Sequence, residues 1–174
     1  KTAAAHVLAA EIGAELYEST GPEFPDQVSA FGALDDIVEL HERTRKSAIW
    51  LIDEIDGMAR SSTYSLHGIL THGYATWQGK RLYEGLPVSI IGTSNFLSGV
   101  PGALKSRMEP VQVSYYPPEE LAAIARQYAL RMGFRLTEEA ALFIGQNAAG
   151  EPRRVTIRLL RVVRNLMVSG ARNV

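Results

Sequence analysis

Short apolar runs and longer amphipathic stretches alternate along the first two thirds of the chain. The short runs read as buried strands, and they occupy residues 15–19, 48–53, 88–93 and 111–115. Between them, apolar residues recur three and four positions apart, which is the helical period. These stretches predict helices over 2–12, 26–43, 62–71 and 101–107. Because strands that alternate with helices build parallel sheets, the predicted fold class is α/β, with helices flanking a parallel sheet.

The pattern changes in the rest of the chain. A hairpin is predicted over 75–83, and Trp77 is expected to pack it rather than to stack on a base. After Pro117-Pro118 only helical patterns remain, over 119–132, 137–149 and 152–168. We therefore expect a large α/β subdomain over 1–116 and a small all-helical subdomain over 117–174.

Composition narrows the class of protein without identifying its chemistry. The chain has 174 residues, of which 46% are hydrophobic, and a net charge of −1, as ordinary globular domains have. It has no cysteine, which excludes disulfides and thiolate metal sites and favours a reducing, cytoplasmic location. The apolar runs are far shorter than the roughly 20 residues of a membrane-spanning helix, so no membrane partner is expected.

Arginine is concentrated near the carboxyl end. Within the predicted helix over 152–168, four arginines recur at steps of four, three and three and so share one face. They are Arg154, Arg158, Arg161 and Arg164. The other side carries Val155, Leu159, Val162, Val163 and Leu166, and Gly170 is placed as the carboxyl cap. Such a face is either simply solvated or a contact for nucleic acid or another subunit, and both interpretations stay open.

Two adjacent carboxylates follow the apolar run at 49–52. Asp53 and Glu54 stand where the strand over 48–53 ends, and ligands of open α/β sheets bind at the carboxyl ends of strands. This is the arrangement of a Walker B element. Asp53 would hold Mg²⁺, and Glu54 would orient and deprotonate a water for attack on a γ-phosphate. The alternative is a strand that merely ends in an acidic turn.

Lys1 and Thr2 come directly before a helical run of small residues. A phosphate-binding P-loop ends in Gly-Lys-[Ser/Thr] and leads straight into a helix, with the lysine on the phosphates and the hydroxyl on Mg²⁺. The glycines of that motif are absent here. The pair gains weight because it lies about one βαβ unit ahead of the candidate Walker B strand.

Three further polar residues follow predicted elements. Asn95 comes after the strand over 88–93, where a side chain could align an attacking water. Arg107 ends the short helix over 101–107, from which it could reach a neighbour's nucleotide. Arg153 lies in the first turn of the last helix, where free N–H groups favour anions. Each of them also fits an ordinary surface position.

Together these motifs resemble those of the AAA+ ATPases and, within them, the RuvB family of Holliday-junction branch-migration motors. Seven phrases follow the family's order, and nearly its spacing, across almost the whole chain. They are Ser19-Thr-Gly-Pro22, Leu51-Ile-Asp-Glu-Ile55, Ile91-Gly-Thr-Ser-Asn95, Leu104-Lys-Ser-Arg107, Tyr115-Tyr-Pro-Pro-Glu-Glu-Leu121, Leu136-Thr-Glu-Glu-Ala-Ala141 and Gly150-Glu-Pro-Arg153. Such collinearity is much more specific than any single motif.

The resemblance implies roles in the large subdomain, with ATP and Mg²⁺ as cofactors. Lys1 and Thr2 would close the Walker A loop and bind nucleotide, and Thr2 and Asp53 would bind the metal. Glu54 would be the catalytic glutamate of Walker B, which acts as the base, and Asn95 would be sensor 1.

It implies further roles towards the carboxyl end. Arg107 would be a catalytic arginine finger that acts on a neighbouring subunit, and Tyr116 would lie beside the adenine. Arg153 would be sensor 2 in a helical lid. Arg154 is its rival, because the stretch after Pro152 is one residue longer than the family's pattern.

The implied function is an ATP-hydrolysing motor that remodels DNA or drives branch migration as a homo-oligomer, either a ring or a filament. DNA would be contacted through regions outside this chain, because no winged-helix domain is included. Two alternatives remain. One is a AAA+ switch or loader that assembles on protein partners, with the hairpin over 75–83 as a contact. The other is a non-catalytic AAA+-fold scaffold, which the missing P-loop glycines favour.

The chain departs from the RuvB pattern in several places. Asp56 stands where the family has His, Asn95 where it usually has Thr, and the segment over 71–87 is shorter than the insertion that docks RuvA. The first, central strand of the family's sheet is also absent. Its loss would leave buried backbone groups unpaired at about 1–3 kcal/mol each, so we expect an upstream polypeptide. A continuous ladder of the four predicted strands would contradict that expectation.

Overall fold

The computed structural model describes the backbone of residues 1–169 and the side chains of residues 1–165. The chain forms two compact units, Lys1–Val111 and Gln112–Val174, each with its own hydrophobic core. No helix among the described residues is long and apolar enough to cross a lipid bilayer.

The first unit contains helices around a parallel sheet and a separate hairpin. Its helices are α1 (Thr2–Ile12), α2 (Gln27–Thr44), α3 (Arg60–His72) and α4 (Gly102–Lys105). Its strands are β1 (Glu15–Thr20), β2 (Ala48–Asp53), β3 (Ala75–Trp77), β4 (Lys80–Leu82) and β5 (Val88–Gly92). The predicted helices, the hairpin and the first three predicted strands are therefore confirmed, with ends displaced by at most two residues.

Strand β2 lies at the centre of the sheet. It pairs in parallel with β1 on one side and with β5 on the other. Residues 48–52 are all buried, which explains their continuous apolar pattern, because a strand flanked by two strands and covered on both faces meets no water. Trp50 is fully buried, and its indole N–H donates to Ser19 Oγ of β1 at 2.8 Å. This arrangement fixes the position of Asp53 at the carboxyl end of the central strand.

Local sequence signals set the ends of the helices. The backbone N–H of Ser29 donates to Asp26 Oδ1 at 2.9 Å, which caps the start of α2. Gly13 and Gly73 end α1 and α3 in the left-handed region, with φ of 71° and 73°. These caps stop the helices before the loops that lead into the sheet and the hairpin.

The hairpin of β3 and β4 is anchored in the core of the first unit. The Trp77 ring packs edge-on against Phe31 of α2, with ring centroids 5.1 Å apart, as expected from the sequence. The Tyr83 ring stacks on the same Phe31, and its hydroxyl donates to Asp35 at 2.8 Å. Burial and this hydrogen bond to the carboxylate raise the pKa of Tyr83. The hairpin is thus attached rigidly through aromatic contacts.

The predicted strand over 111–115 is wrong, because these residues pair with no strand in the described chain. Val111, Val113 and Tyr115 alternate as strand residues do, yet they are 83%, 55% and 78% exposed. Alternation expresses a preference for extended backbone, whereas a strand also requires hydrogen bonds from a neighbour. The parallel sheet that forms has three strands, and the four predicted strands do not close into one ladder. No described strand pairs with the outer edge of β5.

The second unit is helical, as predicted, over its described residues. It consists of α5 (Pro118–Arg131), α6 (Glu138–Asn147) and α7 (Pro152–Ser169). Helix α6 approaches α5 closely at Gly145, where a Cβ would lie only 2.3 Å from the carbonyl oxygen of Pro118. The buried core between the helices consists of Leu121, Ala125, Ala129, Ile144, Ala148, Val155 and Leu159.

The arginine face of α7 is exposed where it is described, at Arg154, Arg158, Arg161 and Arg164. On the opposite side Val155 and Leu159 are buried as expected, whereas Val162 is 42% exposed. The side chain of Leu166 and the predicted cap at Gly170 lie outside the described residues. The structure therefore confirms an amphipathic helix in its first half and leaves the use of the arginine face a prediction.

Candidate active site

Asp53 lies where the ladder between β2 and β5 ends. The N–H of Thr93 donates to the carbonyl oxygen of Ile52 at 3.0 Å, and the N–H of Ile55 donates to the carbonyl oxygen of Thr93 at 2.9 Å. These two bonds bracket Asp53 and Glu54 in the chain. The hydroxyl of Thr93, which is only 7% exposed, donates to Asp53 Oδ1. The carboxylate of Asp53 is therefore oriented by the neighbouring strand.

The amino end of α1 approaches the same carboxylate. The hydroxyl of Thr2 donates to Asp53 Oδ2 at 3.3 Å, so the two oxygens of the carboxylate are held from opposite segments of the chain. Helix α1 buries only Ala5 and Ala9, and side chains this small allow a helix to approach closely. A hydroxyl and a carboxylate are the hard oxygen ligands that Mg²⁺ prefers, so this pair fits the predicted metal site.

Lys1 connects the start of α1 to the segment that follows β5. Its Nζ donates to Asn95 Oδ1 at 2.8 Å and to the carbonyl oxygen of Ser94 at 2.5 Å. The structure thereby brings together four of the residues selected from the sequence: Lys1, Thr2, Asp53 and Asn95. An ammonium group, a hydroxyl and a carboxylate side by side can bind a phosphate and its counter-ion.

Glu54 begins a tight turn immediately after the strand. Its backbone is left-handed, with φ of 52° and ψ of 47°, and its side chain is exposed. Gly21, from the loop after β1, packs against this turn, since a Cβ on Gly21 would lie 2.1 Å from the carbonyl oxygen of Glu54. The backbone of Glu54 is thus confined while its carboxylate remains available to solvent.

A small cavity of about 210 Å³ adjoins Asp53 on the side of β1. It is lined by Thr2, Glu18, Ser19, Thr20, Glu23, Leu51 and Asp53. The acids Glu18 and Glu23 give this wall negative charge, which would favour a hydrated cation over a bare phosphate. Glu18 also lies 3.1 Å from His6 Nε2 of α1.

Sequence reasoning missed two residues that shape this site. Thr93 and Gly21 lie within the phrases that carry the family resemblance, without a predicted role of their own, yet Thr93 orients Asp53 and Gly21 confines the turn of Glu54. The signal for Thr93 was its position just after β5, because neighbouring parallel strands end at the same edge of a sheet. Nothing in the sequence alone pairs Gly21 with residue 54.

Arg107 makes its hydrogen bonds outside this cluster. Its Nε donates to Thr71 Oγ1 at 2.5 Å, and its Nη1 donates to the carbonyl oxygen of Ala103 at 3.0 Å and to Ser106 Oγ at 2.7 Å. None of its described hydrogen bonds reaches Lys1 or Asp53. The guanidinium is exposed, so its role towards a neighbouring subunit stays a prediction.

Tyr116 and Arg153 belong to the second unit. The N–H of Tyr116 donates to the carbonyl oxygen of Gly150 at 3.0 Å, which fixes the loop before α5 next to the start of α7. Arg153 is exposed and makes no ion pair among the described residues, whereas Arg154 Nε pairs with Glu151 Oε2 at 3.0 Å. The ion pair of Arg154 is exposed and weak, so the choice between the two rival arginines stays a prediction.

Residues 1–115 match the family described as "ATPase family associated with various cellular activities (AAA)". The match covers more than half of the chain. The chain belongs to this family. The α/β fold predicted for a AAA+ protein, with helices flanking a parallel sheet, is thereby confirmed.

Two similar curated proteins carry the description Holliday junction branch migration complex subunit RuvB. The RuvB of Thermobifida fusca is 29% identical over 173 residues, and that of Kosmotoga olearia is 27% identical over 175 residues. Both alignments cover 95% of this chain but only 47% and 48% of those proteins. The chain thus spans about half the length of the curated relatives it matches.

Solved structures of Thermotoga maritima RuvB have the same fold. One described as a Holliday junction branch migration motor has a TM-score of 0.79 at 21% identity and covers 99% of this chain and 53% of that one. A lysine-to-arginine mutant of the same protein has a TM-score of 0.81 at 21% identity, with the same coverage of both chains. At such identity the likeness shows the fold alone.

Proposed function

We propose that this chain is the nucleotide-hydrolysing core of a RuvB-type AAA+ motor, which turns over ATP as a homo-oligomer to remodel DNA, as in Holliday-junction branch migration. The observation that carries the proposal is the convergence of Lys1, Thr2, Asp53 and Asn95 at the carboxyl ends of β2 and β5. Membership of the AAA family and the names of the curated relatives support it.

Lys1 and Thr2 are positioned to receive the phosphates and the metal. The ammonium of Lys1 now donates to Asn95 and Ser94, and an anionic phosphate would be the stronger acceptor. Thr2 and Asp53 would hold Mg²⁺, which neutralises charge on the phosphates when bound. The nucleotide would therefore draw Lys1 away from Asn95 and leave the amide free.

Glu54 and Asn95 would act on the attacking water. The carboxylate of Glu54 is exposed beside Asp53 and would orient and deprotonate that water, and the freed amide of Asn95 would align it. Confinement of the Glu54 backbone by Gly21 would keep the carboxylate in place without using its oxygens.

The remaining proposed residues would complete the nucleotide site when subunits assemble into the homo-oligomer. Arg107 would supply charge stabilisation to a neighbouring subunit, and Tyr116 would lie beside the adenine. Arg153 would contact the phosphates from a helical lid over 117–174. The large subdomain would span 1–116. We place the protein in the cytoplasm, with its DNA contacts mainly in regions outside this chain and the hairpin over 75–83 as a protein contact.

The test is ATP turnover by the full-length protein with and without branched DNA. Glu54→Gln should abolish turnover because it removes the base. Arg107→Ala should abolish it because it removes the charge stabilisation by the arginine, which is worth on the order of 10³–10⁵ in rate. Mixing the two variants should restore part of the activity if Arg107 acts across a subunit interface.

Glu42→Gln serves as the matched control, because Glu42 is exposed on α2 and makes no ion pair among the described residues. It should turn over ATP as the unaltered protein does. Full turnover by Glu54→Gln would refute the assigned chemistry, and failure of branched DNA to stimulate turnover would refute the motor function.

A further inference from the structure

The guanidinium of Arg107 is held by three hydrogen bonds within its own chain. Its Nε donates to Thr71 Oγ1, and its Nη1 donates to the carbonyl oxygen of Ala103 and to Ser106 Oγ. A guanidinium has five N–H donors, one on Nε and two on each Nη. Within the described part of the chain, these bonds use the donors of Nε and Nη1 and leave both donors of Nη2 for a ligand.

All three acceptors of Arg107 are uncharged. Arg107 forms no ion pair with a carboxylate among the residues that the structure describes. A carboxylate would offset the positive charge, whereas hydroxyl and carbonyl oxygens orient the guanidinium and leave its charge intact. Because the side chain is also exposed, its charge and the two Nη2 donors are available to an anion from outside the chain.

Thr71 is the acceptor that lies far from Arg107 in the sequence. The other two belong to α4 and to the residue that follows it, whereas Thr71 lies 36 residues before Arg107, in the last turn of α3. Both elements are anchored in the core of the first unit, α3 by Leu66 and α4 by Leu104, and both leucines are fully buried. The N–H of Arg107 donates to the carbonyl oxygen of Leu104 at 2.9 Å. Thr71 therefore fixes the guanidinium from a separate, rigid helix.

We propose that Thr71 is a positioning residue for Arg107, whose Nη2 it directs towards the γ-phosphate of a nucleotide bound by the neighbouring subunit. The inference rests on the proposed function for the action of Arg107 across the interface, whereas the hydrogen bond itself rests on the structure. An arginine side chain has much rotational freedom, which it loses when it contacts a phosphate. Because Thr71 restricts that freedom beforehand, less is lost in reaching the transition state.

The test is the kinetics of ATP turnover by the full-length protein with Thr71→Val, which keeps the shape of the side chain and removes the acceptor. The value of kcat should fall by about 10-fold, because one hydrogen bond to a charged group is lost while two remain. The value of KM for ATP should not change, since an arginine finger acts in the transition state. Thr71→Ser keeps the hydroxyl and should restore turnover.

Ser61→Ala is the matched control. Ser61 is exposed on the same helix α3, and its hydroxyl makes no hydrogen bond among the described residues. This variant should turn over ATP as the unaltered protein does. A loss of kcat in Ser61→Ala equal to that in Thr71→Val would overturn the inference, because it would show that any change of this helix lowers the rate.

Mixed oligomers distinguish positioning of Arg107 from damage to the subunit that carries the substitution. When Thr71→Val is mixed with an excess of Glu54→Gln, most Thr71→Val sites adjoin a neighbour whose Arg107 is still held by Thr71. Turnover for each Thr71→Val subunit should then rise towards that of unaltered protein mixed with the same excess of Glu54→Gln. Turnover that does not rise would overturn the inference, because the defect would lie in the subunit's own site.

Two further measurements separate this inference from the proposed function. Full turnover by Arg107→Ala would refute both, whereas reduced turnover by Arg107→Ala with unaltered kinetics of Thr71→Val would overturn the inference alone. The second measurement is nuclear magnetic resonance of protein with isotope-labelled arginine, in which Arg107→Ala identifies the Nε–H signal of Arg107. That hydrogen should exchange with water more slowly in the unaltered protein than in Thr71→Val. Equal exchange in both would overturn the inference whether or not the protein hydrolyses ATP.

Discussion

Replacing Gly21 with alanine tests the geometry of the turn at Glu54, because it adds a single methyl group next to that turn. A Cβ there would lie 2.1 Å from the carbonyl oxygen of Glu54 and 3.0 Å from the backbone nitrogen of Met58. Both neighbours are backbone atoms, so no side-chain rotation can relieve the contact. Because C···O contacts ordinarily begin at about 3.3 Å, Gly21→Ala must displace the turn by about 1 Å.

We expect this displacement to lower both the rate of ATP hydrolysis and the free energy of unfolding. A misplacement of about 1 Å can lower a rate by on the order of 10²-fold, so kcat for ATP should fall by roughly that factor. Forcing a methyl group into packed backbone should also lower the free energy of unfolding by about 1–3 kcal/mol. The loss of rate should exceed what partial unfolding explains, since a domain with several kcal/mol of stability remains almost entirely folded.

The assay compares Gly21→Ala with Gly32→Ala in ATP turnover and urea unfolding. A Cβ on Gly32 would meet nothing within 4 Å, and Gly32 is exposed within α2. Gly32→Ala should therefore stabilise the protein by about 0.5–1 kcal/mol and leave turnover unchanged. If folded Gly21→Ala hydrolyses ATP at the unaltered rate, the confinement of Glu54 has no part in catalysis.

Two further substitutions test contacts of the first unit. Thr93→Val removes the hydroxyl that orients Asp53, a hydrogen bond to a charged group worth about 1.5–3 kcal/mol, so half-maximal turnover should need more Mg²⁺. Thr76→Val, exposed on the hairpin, should not change the Mg²⁺ titration, and an unchanged titration for Thr93→Val would contradict the assignment. Burial and the hydrogen bond to Asp36 raise the pKa of Tyr17, so the folded state keeps a proton that the unfolded chain loses above about pH 10. The contribution of Tyr17 to the free energy of unfolding should therefore be fully present below that pH and decline above it. Tyr17→Phe should make the free energy of urea unfolding less pH-dependent between about pH 9 and 11. An identical decline in both proteins would refute this.

Most of the fold could be predicted because the signals that specify it are local. The apolar run over 48–52 predicted a buried strand, and that strand is central to the sheet. Helix ends followed caps that depend on a few neighbouring residues, such as Asp26 and Gly13. Apart from residues 111–115, the elements predicted from such local patterns agree with the structure to within two residues at their ends.

The candidate site could be predicted in part for a similar reason. Asp53 ends β2 and Asn95 follows the end of β5, and the ends of neighbouring parallel strands meet, so their proximity follows from the fold. The contact of Lys1 with Asn95 depends in addition on where α1 begins, because Lys1 reaches Asn95 only if the helix starts at this same edge of the sheet. The contact of Gly21 with Glu54 had no such signal, because the approach of these two segments depends on tertiary packing.

Residues 111–115 show where the sequence pattern and the structure disagree. Their alternation is as regular as that of a true strand, but extended backbone is held in a sheet only when a second strand accepts and donates its hydrogen bonds. Periodicity reports which faces of a segment are apolar and contains no information on whether a partner is within reach. The same limit applies to Gly21, because its lack of a side chain matters only through the carbonyl of Glu54 beside it. Errors of this kind therefore concentrate at pairwise contacts between distant segments, which is also where the residues that orient the candidate site are found.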